Sequence, residues 1–409
     1  MNILFVSHVF PDKHEPLTGF PVYLYRVSLA LIEMGHKPII LAGGHRSDSW
    51  MHRGIEIIRV KTNSYDIGND SLNLIITSYI KSFQLNKEIK KLETKMKIDI
   101  IQFTSLEGTA LLHYGKIPAV MRLSSYAKTY YSSTNYATFT RNYVNVMAWL
   151  EKHASRHCSA VFAPSKINAD AFGKDTKRNI YVIETPFVDD VDTYDDIYVE
   201  TNLKDKKYAL FFGVLFAEKG IQVIGECLQE FLQKNRDYYF VFVGRATVVN
   251  GENAAKMLRR CAGAYVDRVI ILPALSHEQL YPIIQKADFV VLPSLMENLS
   301  NACIEAMYFG KVVIGTDGAS FDQLIQHKIN GLLCKIGDSD DLLEKMQMAV
   351  ALSDDDKRKI GKCAKARIDK LRPEYVVKKL LRLYEYVIEN SKENSFNLEK
   401  GKRCIHEKI

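Results

Sequence analysis

The stretch FVVLPSLMENLSNACIEAMYFGKVVIGT, residues 289–316, predicts one complete repeat of a fold. Its two ends, FVVLP and KVVIGT, are short apolar runs of the kind that form buried strands. Between them, a polar turn leads into an apolar helix over about 301–309, which stops at Gly310. A strand, a helix and a second strand in this order indicate a parallel sheet with crossover helices.

The same alternation of short apolar and longer amphipathic runs continues along the chain. It predicts a helix over about 21–34 and the strands 2–6, 38–42, 99–103, 118–122, 160–163, 180–183, 208–213, 238–244, 269–272, 289–293 and 311–316. We therefore expect an α/β protein with two Rossmann-like, doubly wound domains. The carboxyl edges of their sheets would face each other across a ligand cleft.

A charge run separates the two halves. Residues 186–200 contain six acidic side chains and no basic one, which favours an exposed linker. A last amphipathic helix over about 373–389 precedes a polar tail. The predicted boundaries are an N-terminal domain at 1–187, an acidic linker at 188–206, a C-terminal domain at 207–372, a helix returning to the N-terminal domain at 373–390, and a mobile tail at 391–409.

Composition narrows the class of protein. With 409 residues, 47% of them apolar and 25% charged, the chain has the balance of an ordinary globular protein. Its net charge of +7 fits anionic small molecules or an acidic membrane surface, but alone does not indicate nucleic-acid binding. The seven cysteines are scattered and never spaced C-x-x-C, which favours a reduced cytosol without a zinc site or disulfides. The start, MNILFVSHVF, predicts a strand rather than a signal peptide, and no apolar run approaches the ~18 residues of a membrane span.

Two glutamates, Glu297 and Glu305, lie eight residues apart in the opening stretch. Glu305 falls inside the apolar helix, where a carboxylate is costly to bury unless it is paired. A helix N-terminus at the carboxyl edge of a sheet favours a phosphate. A carboxylate one turn deeper would accept hydrogen bonds from an attached ribose, and Glu297 would meet a hydroxyl of whatever the phosphate carries. The alternative is a structural ion pair for Glu305 and a solvated Glu297.

Several motifs resemble the family 4 retaining glycosyltransferases, which have the GT-B fold. In the second half these are the E-x7-E pair after LPS, EAMYFGKVVIGTDGAS (305–320), NGLL (330–333), FFGVLFAEKG (211–220), FVG (242–244) and LSHEQLYPIIQKADFVVLPS (275–294). In the first half ILFVSHVFP (3–11), MGHKPIIL (34–41), DIIQF (99–103) and AVFAPSK (160–166) match in the same order. The likeness covers about 1–390 and is most specific in the second half.

The resemblance implies an acceptor-side N-terminal domain and a C-terminal domain that binds a nucleotide sugar. In the latter, Glu305 would hold the ribose diol, Glu297 would contact a hydroxyl of the donor sugar, and Lys219 would neutralise the diphosphate leaving group. With Lys219 and a helix N-terminus available, we expect no divalent metal and no cofactor.

Further donor contacts follow from the matching motifs. Backbone N–H groups are expected to meet the sugar or the distal phosphate at Asn298, Leu299, Ser300 and Asn301. We also assign Gly213 and Leu275 to the donor site, because they lie in motifs that carry the resemblance. In the first half, the single Gly19 of PLTGFPVY would let backbone approach the donor phosphate or the acceptor, where the family often has two or three glycines.

The chain departs from the family pattern at two positions. Val214 stands where the family usually has an arginine; Arg245, after the FVG strand, either replaces it or is a solvated loop residue. Ser124 or Ser125 stands where the family commonly has a histidine beside the donor sugar. We assign Ser124 to the catalytic site, where it would hydrogen-bond a sugar hydroxyl. His8 is an alternative replacement, although a lone histidine is more often structural.

The acceptor would lie against the first half. The segment 124–149 is dense in aromatic and hydroxyl side chains, and we assign Tyr126, Tyr130 and His8 to acceptor binding. Packing of a helix into the core explains several of these aromatics equally well. The basic amphipathic run at 79–97 is either a solvated helix face or a surface that docks on an anionic membrane.

These inferences together predict a cytoplasmic, metal-independent, retaining hexosyltransferase that uses a UDP- or GDP-sugar. Its acceptor would be a growing surface polysaccharide or a lipid-linked saccharide, with contact to the inner face of the membrane as an option. A first alternative is a nucleotide-sugar-binding partner of an active glycosyltransferase, since Val214 and Ser124 stand where catalytic helpers are usual. An epimerase or a phosphorylase of similar architecture is disfavoured, respectively by the E-x7-E pair and by the absence of a recognisable pyridoxal-lysine context.

Overall fold

The chain folds into two compact α/β units. The computed structural model describes residues 1–12, 20–64, 66–132, 140–189 and 191–399. Within these ranges, the first unit contains the residues up to Tyr131, those from Thr140 to Pro186 and those from Arg372 onward, and the second contains Phe187–Leu371. The first unit is thus built from segments on both sides of the second.

The first unit is built on one eight-stranded sheet. Its strands are β1 (Asn2–Ser7), β2 (Lys37–Gly44), β3 (Asp48–His52), β4 (Ile55–Lys61), β5 (Ile100–Thr104), β6 (Ala119–Arg122), β7 (Ala160–Ala163) and β8 (Ile180–Val182). Their order is β3-β4-β2-β1-β5-β6-β7-β8, and every pair is parallel except β3–β4. The direction of winding reverses between β1 and β5, which makes their carboxyl ends the topological switch point of this unit.

Helices connect these strands, as right-handed parallel crossovers require. They are α1 (Phe20–Glu33), α2 (Asp70–Lys95), α3 (Ala127–Ser132), α4 (Arg141–Ser155) and α5 (Lys166–Thr176). Buried apolar residues of α2, α4 and α5 pack on the face of the sheet formed by β1, β2, β5, β6 and β7. The first turn of α2 is fixed by the side chain of Asn69, which accepts a hydrogen bond from the Leu72 amide.

The second unit is built on a six-stranded, fully parallel sheet. Its strands are β9 (Lys207–Phe212), β10 (Tyr238–Val243), β13 (Val269–Leu272), β14 (Phe289–Leu292), β15 (Val313–Thr316) and β16 (Leu332–Cys334), beside a small hairpin of β11 (Val248–Val249) and β12 (Glu252–Asn253). The strand order is β13-β10-β9-β14-β15-β16. The winding reverses between β9 and β14, so the second switch point lies at their carboxyl ends.

The helices of the second unit are α6 (Ile221–Lys234), α7 (Ala254–Cys261), α8 (His277–Lys286), α9 (Asn301–Tyr308), α10 (Ser339–Ala351) and α11 (Asp354–Asp369). The last helix, α12 (Pro373–Glu399), belongs to the first unit and contacts α1. Its Tyr384 is fully buried, and the hydroxyl donates to Gln102 of β5 at 2.6 Å. In the described parts of the chain, no helix combines the length and the hydropathy that a membrane crossing needs.

The strands predicted from the sequence are found to within two residues, but several regions differ. The hairpin of β3 and β4 and the short strand β16 were not predicted. Helix α2 begins at Asp70, nine residues before the predicted basic run. The predicted linker packs on the second unit, because Val199 and Leu203 of a short π-helical turn are buried. Helix α12 continues to Glu399, so residues 391–399 are not the tail we predict, and residues 400–409 lie outside the described part.

Candidate functional site

Two loops meet at the switch point of the second unit. Strands β9 and β14 are hydrogen-bonded neighbours, and both run toward the same edge of the sheet. The loop after β9 covers 213–220, and the loop after β14 covers 293–300. Ligands of doubly wound sheets bind at this kind of edge, outside the carboxyl ends of the strands.

Gly220 joins the two loops. It has φ +73, and a β-carbon added there would overlap the carbonyl oxygen of Pro293. A second link is the amide of Leu295, which donates to the Glu218 carbonyl oxygen at 2.8 Å. The loops therefore approach each other at backbone distance, and only glycine allows this at position 220.

Lys219 and Glu297 form an ion pair across these loops, between Nζ and Oε1. Lys219 ends the short turn Ala217–Lys219, and its side chain is 32% exposed, whereas that of Glu297 is 13% exposed. Ser294 Oγ donates to the same Oε1 atom at 3.1 Å. A cation, a carboxylate and a hydroxyl are thus held together, with the lysine open enough to meet a ligand.

Helix α9 starts beside this pair. The Ser300 side chain caps it by accepting from the Cys303 amide at 3.3 Å. The amides of the first turn have no acceptor within the helix, so the N-terminus is electropositive at the loop that carries Glu297. These are the groups that an oxyanion of a ligand requires.

Glu305 lies one turn deeper on α9 and is only 7% exposed. Its Oε1 atom is 3.6 Å from Nε2 of His277, at the start of α8. The His277 ring stacks on Tyr281 with centroids 4.9 Å apart. The sequence analysis did not assign His277 to the site. The signal that could have identified it is its position as the first residue of α8, a helix that begins at the same edge of the sheet. The ring covers one side of the buried carboxylate.

The other predicted donor residues take several positions. Gly213 and Arg245 follow β9 and β10 and are exposed, and Leu275, in the loop after β13, is half-buried. Leu299 and Ser300 are buried, while Asn298 and Asn301 are half-buried. Val214 is 39% exposed. Gly19 lies outside the described residues.

Ser124 follows β6 in the first unit and belongs to a hydroxyl network. Its Oγ accepts from Arg122 at 3.2 Å and is 3.3 Å from Thr104 Oγ1, and its amide donates to Ser105 Oγ at 3.2 Å. Arg122 is buried beneath it and stacks on the Tyr23 ring. A hydroxyl that accepts from a guanidinium is a poor base, so Ser124 is suited to hydrogen bonding and not to proton abstraction.

The aromatic prediction for the acceptor needs correction at Tyr126. This side chain is 1% exposed and packs in the core of the first unit. Burial, together with the hydrogen bond that its hydroxyl donates to Asp175, raises the pKa of Tyr126 well above its ordinary value. We therefore withdraw Tyr126 from acceptor binding, since neither its ring nor its hydroxyl is accessible. Tyr130 is half-buried on α3.

His8 lies just beyond β1, at the switch point of the first unit. The pKa of His8 is lowered, mainly because the side chain is buried, so its imidazole is neutral at pH 7. It lines a cavity together with residues that follow β5. Its part in acceptor binding stays a prediction.

Comparison with known proteins shows which family this part of the chain matches. Residues 195–367 match the model of the family described as "Glycosyl transferases group 1". These residues form a glycosyl transferases group 1 domain. The glycosyltransferase domain contains both switch-point loops, the Lys219–Glu297 pair and Glu305. The glycosyltransferase family predicted from the motifs is therefore confirmed for residues 195–367, whereas family 4 and the retaining mechanism stay predictions.

A curated relative and two solved structures extend the comparison. Alpha-D-kanosaminyltransferase of Streptomyces kanamyceticus is 27% identical over 229 residues, which are 53% of this chain and 57% of that protein. Sucrose-phosphate synthase of Thermosynechococcus elongatus superposes with a TM-score of 0.75 at 18% identity, over 95% of this chain and 100% of that one. Anabaena HepE in complex with UDP and glucose has a TM-score of 0.68 at 18% identity, over 94% and 100%.

The structural likeness extends beyond the glycosyltransferase domain to the whole chain, and the predicted α/β architecture with two doubly wound sheets of the GT-B type is confirmed. By sequence, the chain spans about half of the length of the first curated relatives that it matches. In the described part of the chain, no three His, Cys, Asp or Glu side chains converge as metal ligands would.

Proposed function

We propose that the chain is a metal-independent, retaining hexosyltransferase that moves a sugar from a nucleoside diphosphate to a hydroxyl acceptor. The observation that carries this proposal is the arrangement at the second switch point. Lys219 and Glu297 are paired there at the N-terminus of a helix that buries Glu305 one turn further on. A nucleotide sugar carries its diphosphate between the sugar and the ribose, and the proposed partners of these three groups are Lys219, Glu297 and Glu305, respectively.

Each group has a distinct part in the proposed reaction. Lys219 releases Glu297 and stabilises the negative charge that builds on the diphosphate as the glycosidic bond breaks. Glu297 accepts a hydrogen bond from a sugar hydroxyl and orients the ring. Glu305 accepts from the ribose hydroxyls, which gives its buried charge the donors it needs.

The bond changes balance without a protein base. The bond from the anomeric carbon to the diphosphate oxygen breaks, and a bond to the acceptor oxygen forms on the same face of the sugar. The departing diphosphate oxygen takes the proton of the acceptor hydroxyl. This route suits a chain in which Ser124, the residue at the expected histidine position, accepts from Arg122 and is a poor base.

The donor is proposed as a UDP- or GDP-sugar, with UDP-glucose the first to test. HepE, whose fold this chain shares, was solved with UDP and glucose. For the acceptor we propose a growing surface polysaccharide or a lipid-linked saccharide at the cytoplasmic face of a membrane. On α2, Phe83 is 62% exposed and Leu72 is 47% exposed, and Lys90 and Lys91 of the same helix are also exposed. Such a face can dock on an anionic surface.

Donor hydrolysis tests the proposal. The full chain is incubated with a chelator and a panel of UDP-, GDP- and ADP-sugars, and released nucleoside diphosphate is measured. We expect slow release from one donor, lost in Glu297→Ala and Lys219→Ala and retained in Lys234→Ala, whose exposed lysine pairs with Glu230 of its own helix. Release that survives Lys219→Ala, or that needs a divalent metal, would contradict the mechanism.

A second function is favoured by one observation, the exposed Val214 at the position where the resembled family has an arginine. A site short of one cation could bind a nucleotide sugar without turning it over, as a partner of an active enzyme. Val214→Arg separates the two functions. A rise in turnover supports the transferase, whereas tight binding without turnover in both forms supports the binding protein.

A further inference from the structure

A groove of about 740 Å³ lies along the outer edge of the first unit, between α2 and the strands β3 and β4. Residues 56–61 of β4 form one wall, residues between 84 and 96 of α2 form the other, and residues 47–49 border it. By the rise per residue of a strand and of a helix, both walls are about 17 Å long. The groove, which we call the basic groove, therefore has room for several units of a polymer.

Lysines dominate the charged side chains of the basic groove. Among the described residues, four of them are exposed and have no ion-pair partner: Lys37, Lys61, Lys87 and Lys95. A fifth, Lys91, pairs with Glu88 at 2.7 Å. The groove thus presents positive charge that the protein itself leaves uncompensated.

The remaining charges of the lining do not cancel this excess. Arg59 is buried and is already paired with both Asp12 and Asp48. Within the described part of the chain, Glu56 is then the one lining carboxylate without an ion pair. Four unpaired lysines face one unpaired carboxylate, so the electrostatics of the groove favour an anion.

The lysines on α2 form a regular row. Lys87, Lys91 and Lys95 are four residues apart, which places them on one side of the helix about 6 Å apart along its axis. Like charges at this spacing repel each other and destabilise a helix. A ligand with repeated negative charges along the row would offset the repulsion, whereas a single small anion would reach only part of it.

Neutral groups in the groove narrow the kind of polyanion. Ser47, Ser49 and Gln84 line it, and their hydroxyl and amide groups can both donate and accept hydrogen bonds. The carboxylate of Glu56 only accepts, so it requires a ligand that also carries donors. Hydroxyl groups between the negative charges of a polymer would meet this requirement.

Two other polyanionic partners fit less well. None of the lining residues is aromatic, so the bases of a nucleic acid have no ring on which to stack. A membrane surface needs an apolar face that can enter it. The exposed apolar residues of α2, Leu72 and Phe83, do not line the groove.

We propose that the basic groove binds an acidic polysaccharide, a chain of sugars in which many units carry a carboxylate. The lysines pair with the carboxylates, and the serines, Gln84 and Glu56 bond the sugar hydroxyls. The role of this site rests on the proposed function, because a growing acidic chain held here would stay on the protein between additions. The groove shares no residue with the loops of the donor site, so its binding is separable from catalysis.

Fluorescence anisotropy with the full chain and no donor tests the proposal. The probes are a labelled short oligogalacturonate, a neutral dextran oligosaccharide of matched length, labelled poly-glutamate, and vesicles of phosphatidylcholine with phosphatidylglycerol. We expect the oligogalacturonate to bind best, its affinity to fall as salt is added, and the dextran oligosaccharide not to bind.

Charge-matched double variants locate the binding. Lys87→Gln combined with Lys95→Gln should weaken oligogalacturonate binding about tenfold. The control combines Lys90→Gln, on the same helix but outside the groove, with Lys234→Gln in the second unit, and should change the affinity less than about twofold. All four lysines are exposed, so both variants should fold.

Several results would overturn the inference. Equal losses in the two double variants would mean attraction by net charge and not by the groove. Tighter binding of poly-glutamate would indicate an acidic protein partner, and capture by the vesicles through Lys87 and Lys95 without oligogalacturonate binding would indicate a membrane surface.

Failure of the proposed function has a different signature. If oligogalacturonate binds in the groove but no donor is ever cleaved, the groove stands and the transferase does not. If donor is cleaved and no acidic polysaccharide binds, the transferase stands and this inference does not.

Discussion

Glu305 is the residue on which the proposed donor site depends most. Replacing it by alanine should weaken binding of the nucleoside diphosphate by about 2–4 kcal/mol, because charge-assisted hydrogen bonds to the ribose are lost. Glu305→Gln keeps the shape and should lose less. Calorimetry with UDP and GDP measures the change.

The matched control for Glu305 is Glu344→Ala on α10, a carboxylate 64% exposed in the same unit. If both variants fold and Glu305→Ala binds the donor as tightly as Glu344→Ala does, Glu305 is not part of the site.

Glu151 predicts a pH dependence of stability. Its pKa is raised by burial from the ordinary 4.5 to about 8. Between these values the folded chain holds a proton that the unfolded chain has released, so stability falls as the pH rises from about 5 to about 8. Glu151→Gln removes this loss and should be more stable than wild type at pH 8.5 by about 2–4 kcal/mol, with little difference near pH 5.

Urea denaturation at both pH values measures the Glu151 effect. Glu33→Gln, at the exposed end of α1, should follow wild type at each pH. A wild-type stability that rises over this range while Glu151→Gln stays flat would mean that the carboxyl is ionised in the fold.

At the residue scale, the sequence predicted the position of a side chain correctly where a local pattern of neighbouring residues determines it. The spacing of Glu297 and Glu305 placed one in the loop and one inside α9, as found. It failed at Tyr126, because aromatic and hydroxyl composition does not tell which ring packs inward. It did not foresee that Lys219 and Glu297, 78 positions apart, pair with each other, since only the meeting of two loops brings them together.

At the scale of elements, the two loops of the donor site depend on Gly220. Gly220→Ala forces a left-handed backbone on a residue with a β-carbon and drives that carbon into the Pro293 carbonyl group. We expect a loss of about 2 kcal/mol or more in stability and a larger loss of donor hydrolysis, because Lys219 is the preceding residue.

Gly251→Ala is the matched control for Gly220. Its φ of +81 imposes the same backbone strain, but nothing lies within 4 Å of the added carbon. The difference between the two variants, measured by thermal unfolding and by nucleotide release, isolates the collision of the loops. Equal effects on both measurements would show that the approach of the loops is not required.

Two of the elements missed from the sequence have a physical explanation. Strand β3 lies at the edge of the sheet and alternates between half-buried and exposed residues, so it lacks the apolar run that marks a central strand. The start of α2 was missed because its first turns are at most half-buried, and its N-cap Asn69 sits in a segment typical of loops.

At the scale of the whole molecule, the first unit needs its last helix. Residues Val377, Leu380 and Tyr384 of α12 are buried, and Tyr384 reaches Gln102 of the central sheet. A chain shortened before Pro373 should lose the cooperative unfolding of the first unit, since this apolar surface and a buried hydrogen bond go with it. The second unit should still fold.

Limited proteolysis with mass spectrometry checks the truncation. We expect cleavage throughout 1–186 and protection of 187–371. The matched control is Tyr375→Ala, whose side chain on the same helix is 53% exposed and should leave the protection pattern unchanged. Protection of both units in the shortened chain would mean that α12 is dispensable.

The two-domain architecture was predictable from the sequence because each parallel strand is a compact apolar run between amphipathic helices. The linker was not. Acidic composition over 186–200 suggested exposure, yet Phe187 and Val199 are buried and Tyr194 contacts the Tyr281 ring. Charge counts describe the solvent face of such a segment, while a few apolar residues at the right positions decide where it docks.

The division of the first unit into separate segments has a consequence for the order of synthesis. A ribosome completes residues 1–186 and then all of the second unit before it produces α12. The second unit can therefore fold as it emerges, whereas the first must wait with the surface that receives Tyr384 still open. During that interval the nascent first unit is the part of the chain that chaperones would hold.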